Sequence, residues 1–162
     1  MTERRAQSGR LVQLASFLVG GEEYALDIMR IKEIINPQRV TPVPKVPSFI
    51  EGVIELRGAI IPIVDLRKRF DLPATATVRA TKYIIVAIEG RIVGLIVDAV
   101  GEVLRLAEGD VKPPPELQAP EAAGLFAGVC RLRGRILMIL DIDRILSSRE
   151  KLSLTGLPKG ES

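Results

Sequence analysis

Residues 52–66 read GVIELRGAIIPIVDL, and residues 128–142 read GVCRLRGRILMILDI. Eight of these fifteen positions are identical at an offset of 76 residues. Each block holds two apolar runs around an Arg-Gly pair, a pattern that predicts a β-hairpin with a tight turn. The two hairpins indicate that one supersecondary plan occurs twice in the chain.

Two further blocks extend the duplication. Residues 21–35 (GEEYALDIMRIKEII) match residues 90–104 (GRIVGLIVDAVGEVL) at an offset of 69, and Val40, Pro42 and Pro44 match Val111, Pro113 and Pro115 at an offset of 71. The offset only grows along the chain, as insertions in loops would produce. We expect a flexible N-terminus over residues 1–13, subdomains over about 14–73 and 81–146, and a C-terminal tail over 147–162.

Each copy reads as a series of short strands. In the first copy Gly20 and Gly21 separate two strands, and Asp27 is a candidate N-cap for a short helix whose apolar face holds Ile28, Ile31, Ile34 and Ile35. The strands expected from these patterns span residues 14–19, 23–26, 50–56, 59–66, 83–88, 92–97, 103–106, 126–132 and 135–140. Short helices are expected from residue 65 or 66 to 70 and over 143–146. The prolines at 42 and 44 favour an edge strand or an extended loop, and those at 113–115 favour a stiff polyproline link.

The composition favours a mainly β fold. Apolar residues make up 47% of the chain and aromatic residues only 4%, so branched aliphatics dominate the core. Four to five short strands per copy, joined by glycine turns, predict two small closed barrels. Ile60, Ile61, Ile63 and Val64 are apolar without alternation, so their strand must be covered on both sides. We therefore expect the two barrels to pack directly against each other.

Catalytic chemistry is poorly represented. The chain has no histidine, the commonest general base and zinc ligand. Its single cysteine, Cys130, lies within a predicted strand and reads as a buried, inert thiol in a reducing compartment. Asp141 and Asp143 favour helix capping over metal binding. No catalytic residue, cofactor or metal is predicted, although a carboxylate hydrolase using Asp65, Asp141 and Asp143 stays open.

The charge leaves one alternative function. The net charge is +3, and the two signs are interspersed. The densest basic cluster is Arg67, Lys68 and Arg69, which we interpret as a solvated helix face; a nucleic-acid-binding small β-barrel is the alternative. No run of about 18 apolar residues predicts a membrane span. The polar start of the chain does not resemble a secretion signal.

Particular phrases resemble the CheW family. FLVGGEEYALDIMRIKEII (17–35) and FIEGVIELRGAIIPIVDLRKRF (49–70) resemble its first lobe, and IIVAIEGRIVGLIVDAVGEVL (84–104) and GRILMILDIDRIL (134–146) resemble its second. The phrase LRGAIIPIVDLR (56–67) is the most specific of them. The resemblance runs from about Leu14 to about Leu146.

This resemblance implies two packed five-stranded SH3-like β-barrel subdomains with short helices. It also implies a non-enzymatic adaptor that couples the cytoplasmic signalling tip of a chemoreceptor to the regulatory domain of a CheA-type histidine kinase. Such a protein is cytoplasmic and located at membrane-associated receptor arrays. Cofactors, nucleic acid and direct membrane insertion have no part in this role.

The resemblance also nominates residues for the receptor and kinase interface. Arg57 matches the family's functionally central arginine, against the alternative of a solvated turn residue. Glu33 matches a contact position, against the alternative of a helix surface charge paired with Arg30. Ile28 and Ile31 line the receptor groove or the core, with the groove favoured for Ile31, and Val103 is the second-lobe candidate for that groove. Ile34 and Ile35 are expected in the core, and no role is transferred to Arg133.

Overall fold

Strands dominate the described part of the chain. The computed structural model describes residues 10–73, 78–114 and 124–146, so the predicted tail over 147–162 lies outside the described residues. The strands are β1 (Leu11–Val19), β2 (Glu22–Asp27), β3 (Ile31–Ile35), β4 (Ile50–Leu56), β5 (Ala59–Asp65), β6 (Lys82–Ile88), β7 (Arg91–Val97), β8 (Ala99–Ala107), β9 (Phe126–Leu132) and β10 (Arg135–Leu140). An α-helix spans Leu66–Arg69, and 3-10 helices span Ile28–Arg30, Glu108–Asp110 and Ile142–Arg144.

The strands form two five-stranded sheets. One has the order β8-β1-β2-β10-β9, and the other has the order β3-β6-β7-β5-β4. Neighbouring strands are antiparallel except for the pairs β2–β10 and β5–β7, which are parallel. The prediction of a mainly β fold with two five-stranded units is therefore confirmed.

Each sheet is closed by a single bridge between its two edges. Beyond β8 the chain returns so that Lys112 pairs with Val129 on β9, with hydrogen bonds of 2.9 Å in both directions. Beyond β3, Thr41 pairs in the same way with Val53 on β4. These closures define barrel A, built on the first sheet, and barrel B, built on the second. The proline segment predicted as an edge strand or extended loop contributes only the Thr41 bridge, because residues 44–46 turn, with Lys45 at a φ of 63°.

The two barrels do not coincide with the two sequence copies. Barrel A takes β1 and β2 from the first copy but β8, β9 and β10 from the second, and barrel B takes the reciprocal set. The predicted subdomain boundaries, 14–73 and 81–146, are therefore wrong as barrel boundaries. Each barrel combines the first two strands of one copy with the last three of the other.

The connections between the second and third strands explain this exchange. If the second copy formed its own barrel, β8 would take the place of β3, which begins opposite Val86 on β6. However, β7 ends opposite Lys82, four residues away along β6. Four strand residues measure about 13 Å, and only Asp98 lies between β7 and β8. Because one residue cannot span that distance, the chain must enter the neighbouring barrel.

Two local predictions were wrong near the N-terminus. The strand β1 begins at Leu11, so residues 11–13 belong to the fold rather than to a flexible segment. The expected helix is limited to Ile28–Arg30, capped by the Asp27 side chain, which accepts from the Met29 amide at 2.9 Å. Residues 31–35 are instead strand β3, because this isoleucine-rich segment pairs with β6.

The core has three parts. Cys130 and Leu137 belong to the interior of barrel A, and their counterparts at the repeat offset of 76, Ile54 and Ile61, belong to the interior of barrel B. The largest cluster draws on both barrels and forms the seam between them. Its buried members are Phe17, Val19, Leu26, Ile50, Val64, Leu66, Ile84, Val86, Ile88, Val93, Leu95, Val97, Leu140, Ile142, Ile145 and Leu146. The predictions that the two barrels pack against each other and that Cys130 is buried are therefore confirmed.

Equivalent aspartates cap the helices that follow the hairpins. The Asp65 carboxylate accepts from the Arg67 amide at 2.9 Å, and Asp141 accepts from the Asp143 amide at 3.2 Å. Burial raises the pKa of Asp65, and the negative charge of nearby Glu51 raises it further. The folded protein therefore disfavours the ionised form of Asp65 while using its oxygen as a cap.

We expect Asp65→Asn to be at least as stable as the parent at pH 7, because it keeps the capping oxygen and removes the charge. A carboxyl with a raised pKa in the folded state costs stability when ionised, and that cost disappears as the pH falls through the folded pKa to the unfolded value of about 3.9. The stability difference between the two proteins should shrink over this interval. Urea unfolding as a function of pH measures it. Asp65→Ala, which lacks the cap, should lose about 1 kcal/mol at pH 7.

Candidate interaction site

The β4–β5 hairpin places Arg57 at an exposed tip. Arg57 and Gly58 have φ values of 53° and 81°, the left-handed geometry of a tight hairpin turn. The Arg57 side chain is 70% exposed. The turn therefore fixes its backbone while the guanidinium stays accessible to a partner.

Glu33 on β3 receives this guanidinium. Arg57 Nη2 donates to Glu33 Oε1 at 2.8 Å, and Arg57 Nη1 donates to Glu33 Oε2, so the pair is bidentate. The hydrogen bonds from Arg57 lower the pKa of Glu33. Both groups are therefore charged at neutral pH, and the fork geometry orients the guanidinium.

The pair crosses the gap between the two edge strands of barrel B. Arg57 follows β4 and Glu33 lies on β3, and Thr41–Val53 is the bridge that joins these edges. The second copy repeats the arrangement in barrel A, where Arg133 Nη1 lies 3.9 Å from Glu102 Oε2. Those side chains are 71% and 52% exposed, and the contact is looser than that of Arg57. Sequence reasoning selected Arg57 and Glu33 separately and missed their contact; the parallel matches Glu33–Glu102 and Arg57–Arg133 were the available signal.

The aliphatic candidates occupy different environments. Ile31 is half-buried and packs against the seam cluster, and Ile28 is half-buried in the 3-10 helix Ile28–Arg30. Val103 is 54% exposed on β8 of barrel A. The expectation that Ile34 belongs to the core is wrong, since it is 40% exposed. In strand β3 the side chain of Ile34 points to the opposite face from those of Glu33 and Ile35, and it is exposed there, whereas Ile35 packs against the interior of barrel B.

The acidic candidates do not gather in one site. Arg30 pairs with Asp143 rather than with Glu33, and the two hydrogen bonds between them measure 2.6 and 3.1 Å. Asp65 and Asp141 cap helices at the ends of different barrels. Within the described ranges no group of three or more acids and cysteine could hold a metal ion. This arrangement removes the basis for a carboxylate hydrolase.

The predicted solvated basic helix face is also wrong. Arg67 forms a bidentate pair with Asp98, and Lys68 pairs with Glu51. Arg69 donates from Nε to the Ile145 carbonyl at 2.6 Å, and its guanidinium carbon lies 5.1 Å from the centre of the Phe49 ring. Internal contacts thus engage all three cations, which argues against a phosphate-binding track.

These features define a class: a protein of two interlocked β-barrels, each with an arginine-glutamate pair at the tip of a hairpin. A family model described as the CheW-like domain matches residues 13–150. The chain therefore belongs to the CheW-like family.

Individual relatives agree with this assignment. The chain is 36% identical over 143 residues to the chemotaxis protein CheW of Klebsiella aerogenes, covering 88% of this chain and 86% of the relative. It is 36% identical over 149 residues to CheW of Treponema pallidum, covering 90% and 88%. The crystal structure of the scaffolding protein TtCheW from Thermoanaerobacter tengcongensis aligns with a TM-score of 0.80 and 33% identity, covering 87% of this chain and 96% of that one.

Family membership confirms the resemblance found in the sequence and supports a chemotaxis scaffold rather than an enzyme. None of the helices in the described ranges has the length and apolarity needed to cross a bilayer.

Proposed function

We propose that this protein is a chemotaxis adaptor that couples the cytoplasmic signalling tip of a chemoreceptor to the regulatory domain of a CheA-type histidine kinase. It acts in the cytoplasm, at membrane-associated receptor arrays. The observation that carries the proposal is the bidentate Arg57–Glu33 pair, held at the exposed edge of a rigid barrel in a CheW-like fold. An adaptor transmits a signal through surfaces in fixed geometry, which this pair supplies.

The polar part of the interface centres on Arg57 and Glu33. In the free protein each neutralises the other, and a partner carboxylate or backbone carbonyl can share the outward donors of the guanidinium. The 70% exposure of the Arg57 side chain leaves room for such a contact. We assign Arg57 and Glu33 to the contact with the kinase and receptor.

The apolar part is assigned to Ile28, Ile31 and Val103. An aliphatic groove that receives the helical tip of a receptor is an established mode of peptide and helix recognition. Ile34 and Val103 match at the repeat offset of 69, so the two barrels present related apolar positions on β3 and β8.

Reconstitution of kinase activity with receptor fragments, with and without this protein, tests the proposal. We expect the protein to be required for receptor-controlled kinase activity and to bind both components. Arg57→Ala and Glu33→Ala should each weaken coupling by about tenfold or more, as truncation of an interface arginine commonly does. An unchanged kinase response when the protein is added would refute the adaptor role.

The second copy supplies matched controls. Arg133→Ala and Glu102→Ala alter a similar but more exposed pair at the equivalent hairpin and should keep coupling within about twofold of the parent. All four variants should melt as the parent does, because exposed ion pairs contribute little to stability. Loss of coupling in both sets would place the interface elsewhere, and full coupling in Arg57→Ala and Glu33→Ala would remove the assigned site.

A further inference from the structure

Two ion pairs link the halves of the chain at the ends of the parallel strand pairs. Arg30 Nη2 donates to Asp143 Oδ1 at 2.6 Å and also to the Ala87 carbonyl at 2.8 Å. Arg67 donates from Nε and Nη2 to Asp98 at 2.9 and 2.6 Å, and Asp98 also accepts from the Gly20 amide at 2.8 Å. Both pairs are partly buried.

The two pairs occupy related places in the two barrels. Arg30 lies between β2 and β3 of the first copy and binds Asp143 in the helix after β10 of the second copy. In the same way, Asp98 lies between β7 and β8 of the second copy and binds Arg67 in the helix after β5 of the first copy. Arg67 and Asp143 match at the repeat offset of 76, and Arg30 and Asp98 lie one position apart in the alignment of the second-strand blocks. The approximate symmetry of the fold therefore relates one ion pair to the other with its charges reversed.

The charges are divided by copy. The first copy supplies both cations, Arg30 and Arg67, and the second supplies both anions, Asp98 and Asp143. If two first copies exchanged strands, Arg30 would face Arg67, and if two second copies did so, Asp98 would face Asp143. Such partners come only from a second molecule of this chain, because the short connections prevent a copy from closing on itself.

We propose that these charges determine which copies exchange strands. They favour pairing of a first copy with a second copy, and they oppose pairing of two first copies or of two second copies. Backbone pairing discriminates poorly here, since the two copies have the same strand plan and their hairpins are identical at eight of fifteen positions. Like charges in partly buried positions repel with little screening. The division therefore opposes intermolecular mispairing while a chain folds near a second copy.

The dimer fraction reports whether like copies have paired. Pairing of two first copies joins two molecules, whereas pairing of a first with a second copy is available to the parent and to the variants alike, so a rise in dimer over the parent measures like-with-like pairing. Refolding of the full chain from denaturant at several protein concentrations, followed by size-exclusion chromatography, measures this dimer.

The deciding variant is R30D/D143R. It restores an opposite-charge contact in correct pairing, yet it gives each copy one cation and one anion, so like-with-like pairing also becomes favourable. We expect its dimer fraction to exceed that of the parent by about tenfold, the ratio that 1.4 kcal/mol produces. R67D/D143R, which places like charges in correct pairing and opposite charges in mispairing, should give still more.

The reciprocal exchange R67D/D98R repeats the test at the other pair, so one variant that fails to fold does not decide the outcome. Thermal melting of the monomer fraction shows that each variant is folded. Dimer fractions equal to that of the parent in R30D/D143R and R67D/D98R, at every concentration, would overturn the proposal.

Discussion

Replacing Gly52 with alanine should lower the free energy of unfolding by about 3 kcal/mol or more, through backbone strain and overpacking together. Gly52 has a φ of 146°, and an added Cβ would lie 2.1 Å from the Thr41 carbonyl oxygen and 2.9 Å from the Pro42 Cα. These are backbone atoms of the bridge that closes barrel B, so they cannot move away as a side chain would. Urea unfolding followed by far-UV circular dichroism measures the loss.

Gly58→Ala is the matched control. Gly58 also has positive φ, at 81°, but an added Cβ would meet nothing within 4 Å. We expect the free energy of unfolding of this variant to fall only by the conformational cost of a left-handed alanine, about 1–2 kcal/mol. If Gly52→Ala were no less stable than Gly58→Ala, the close approach of Thr41 to β4 would not be a tight closure of the barrel.

The equivalent glycine of the second copy shows that this requirement belongs to the repeat. An added Cβ at Gly128 would lie 2.8 Å from the Lys112 carbonyl oxygen, in the bridge that closes barrel A. The identity of Gly52 and Gly128 in the sequence is thus explained by the same steric condition in each barrel. The sequence comparison identified this match, but it could not show that the glycines mark barrel closure.

The hairpins were predictable because their determinants are local. The Arg57-Gly58 turn, and its repeat at Arg133-Gly134, adopt positive φ at both positions and connect strands at the predicted residues. The apolar runs on either side then have to pair with each other. Turn chemistry and short loops leave few alternatives for such segments.

The strand exchange was not predictable from the repeats, because both copies carry the same strands and either barrel assignment satisfies the hydrophobic pattern. Its cause lies in the short connections, of which Asp98 is the shortest. The helix expected over residues 28–35 failed for a related reason. Isoleucines at helical spacing can also serve a strand, and pairing with the distant β6 decides between them.

The same error affected the candidate site. Glu33 was expected on a helix, where Arg30 one turn earlier is its natural partner. As part of β3, Glu33 instead lies at the edge of barrel B, within reach of Arg57. Long-range strand pairing therefore creates the candidate site, and only the identities of its two charged members could be obtained from sequence.

Phe17→Ala should lower the free energy of unfolding by about 3–5 kcal/mol and destabilise both barrels together. Phe17 is fully buried in the seam cluster, although it belongs to a strand of barrel A. Its ring centre lies 6.0 Å from that of Tyr24, which also neighbours Phe70 and Phe126. Removing the ring thus opens a cavity in the core that the two barrels share, and native-state hydrogen exchange on amides of each barrel measures the effect.

Leu18→Ala on the same strand is the control, since Leu18 is 41% exposed and should cost about 1 kcal/mol or less. In Phe17→Ala we expect the slowest amides of β6 and β7, in barrel B, to lose as much protection as those of β1 and β2. The strand exchange strengthens this expectation, because each barrel holds strands from both copies and cannot unfold without disrupting the other. Loss of protection confined to barrel A would mean that the barrels are independent units joined by a weak contact, and the rigid geometry required of an adaptor would then need another source.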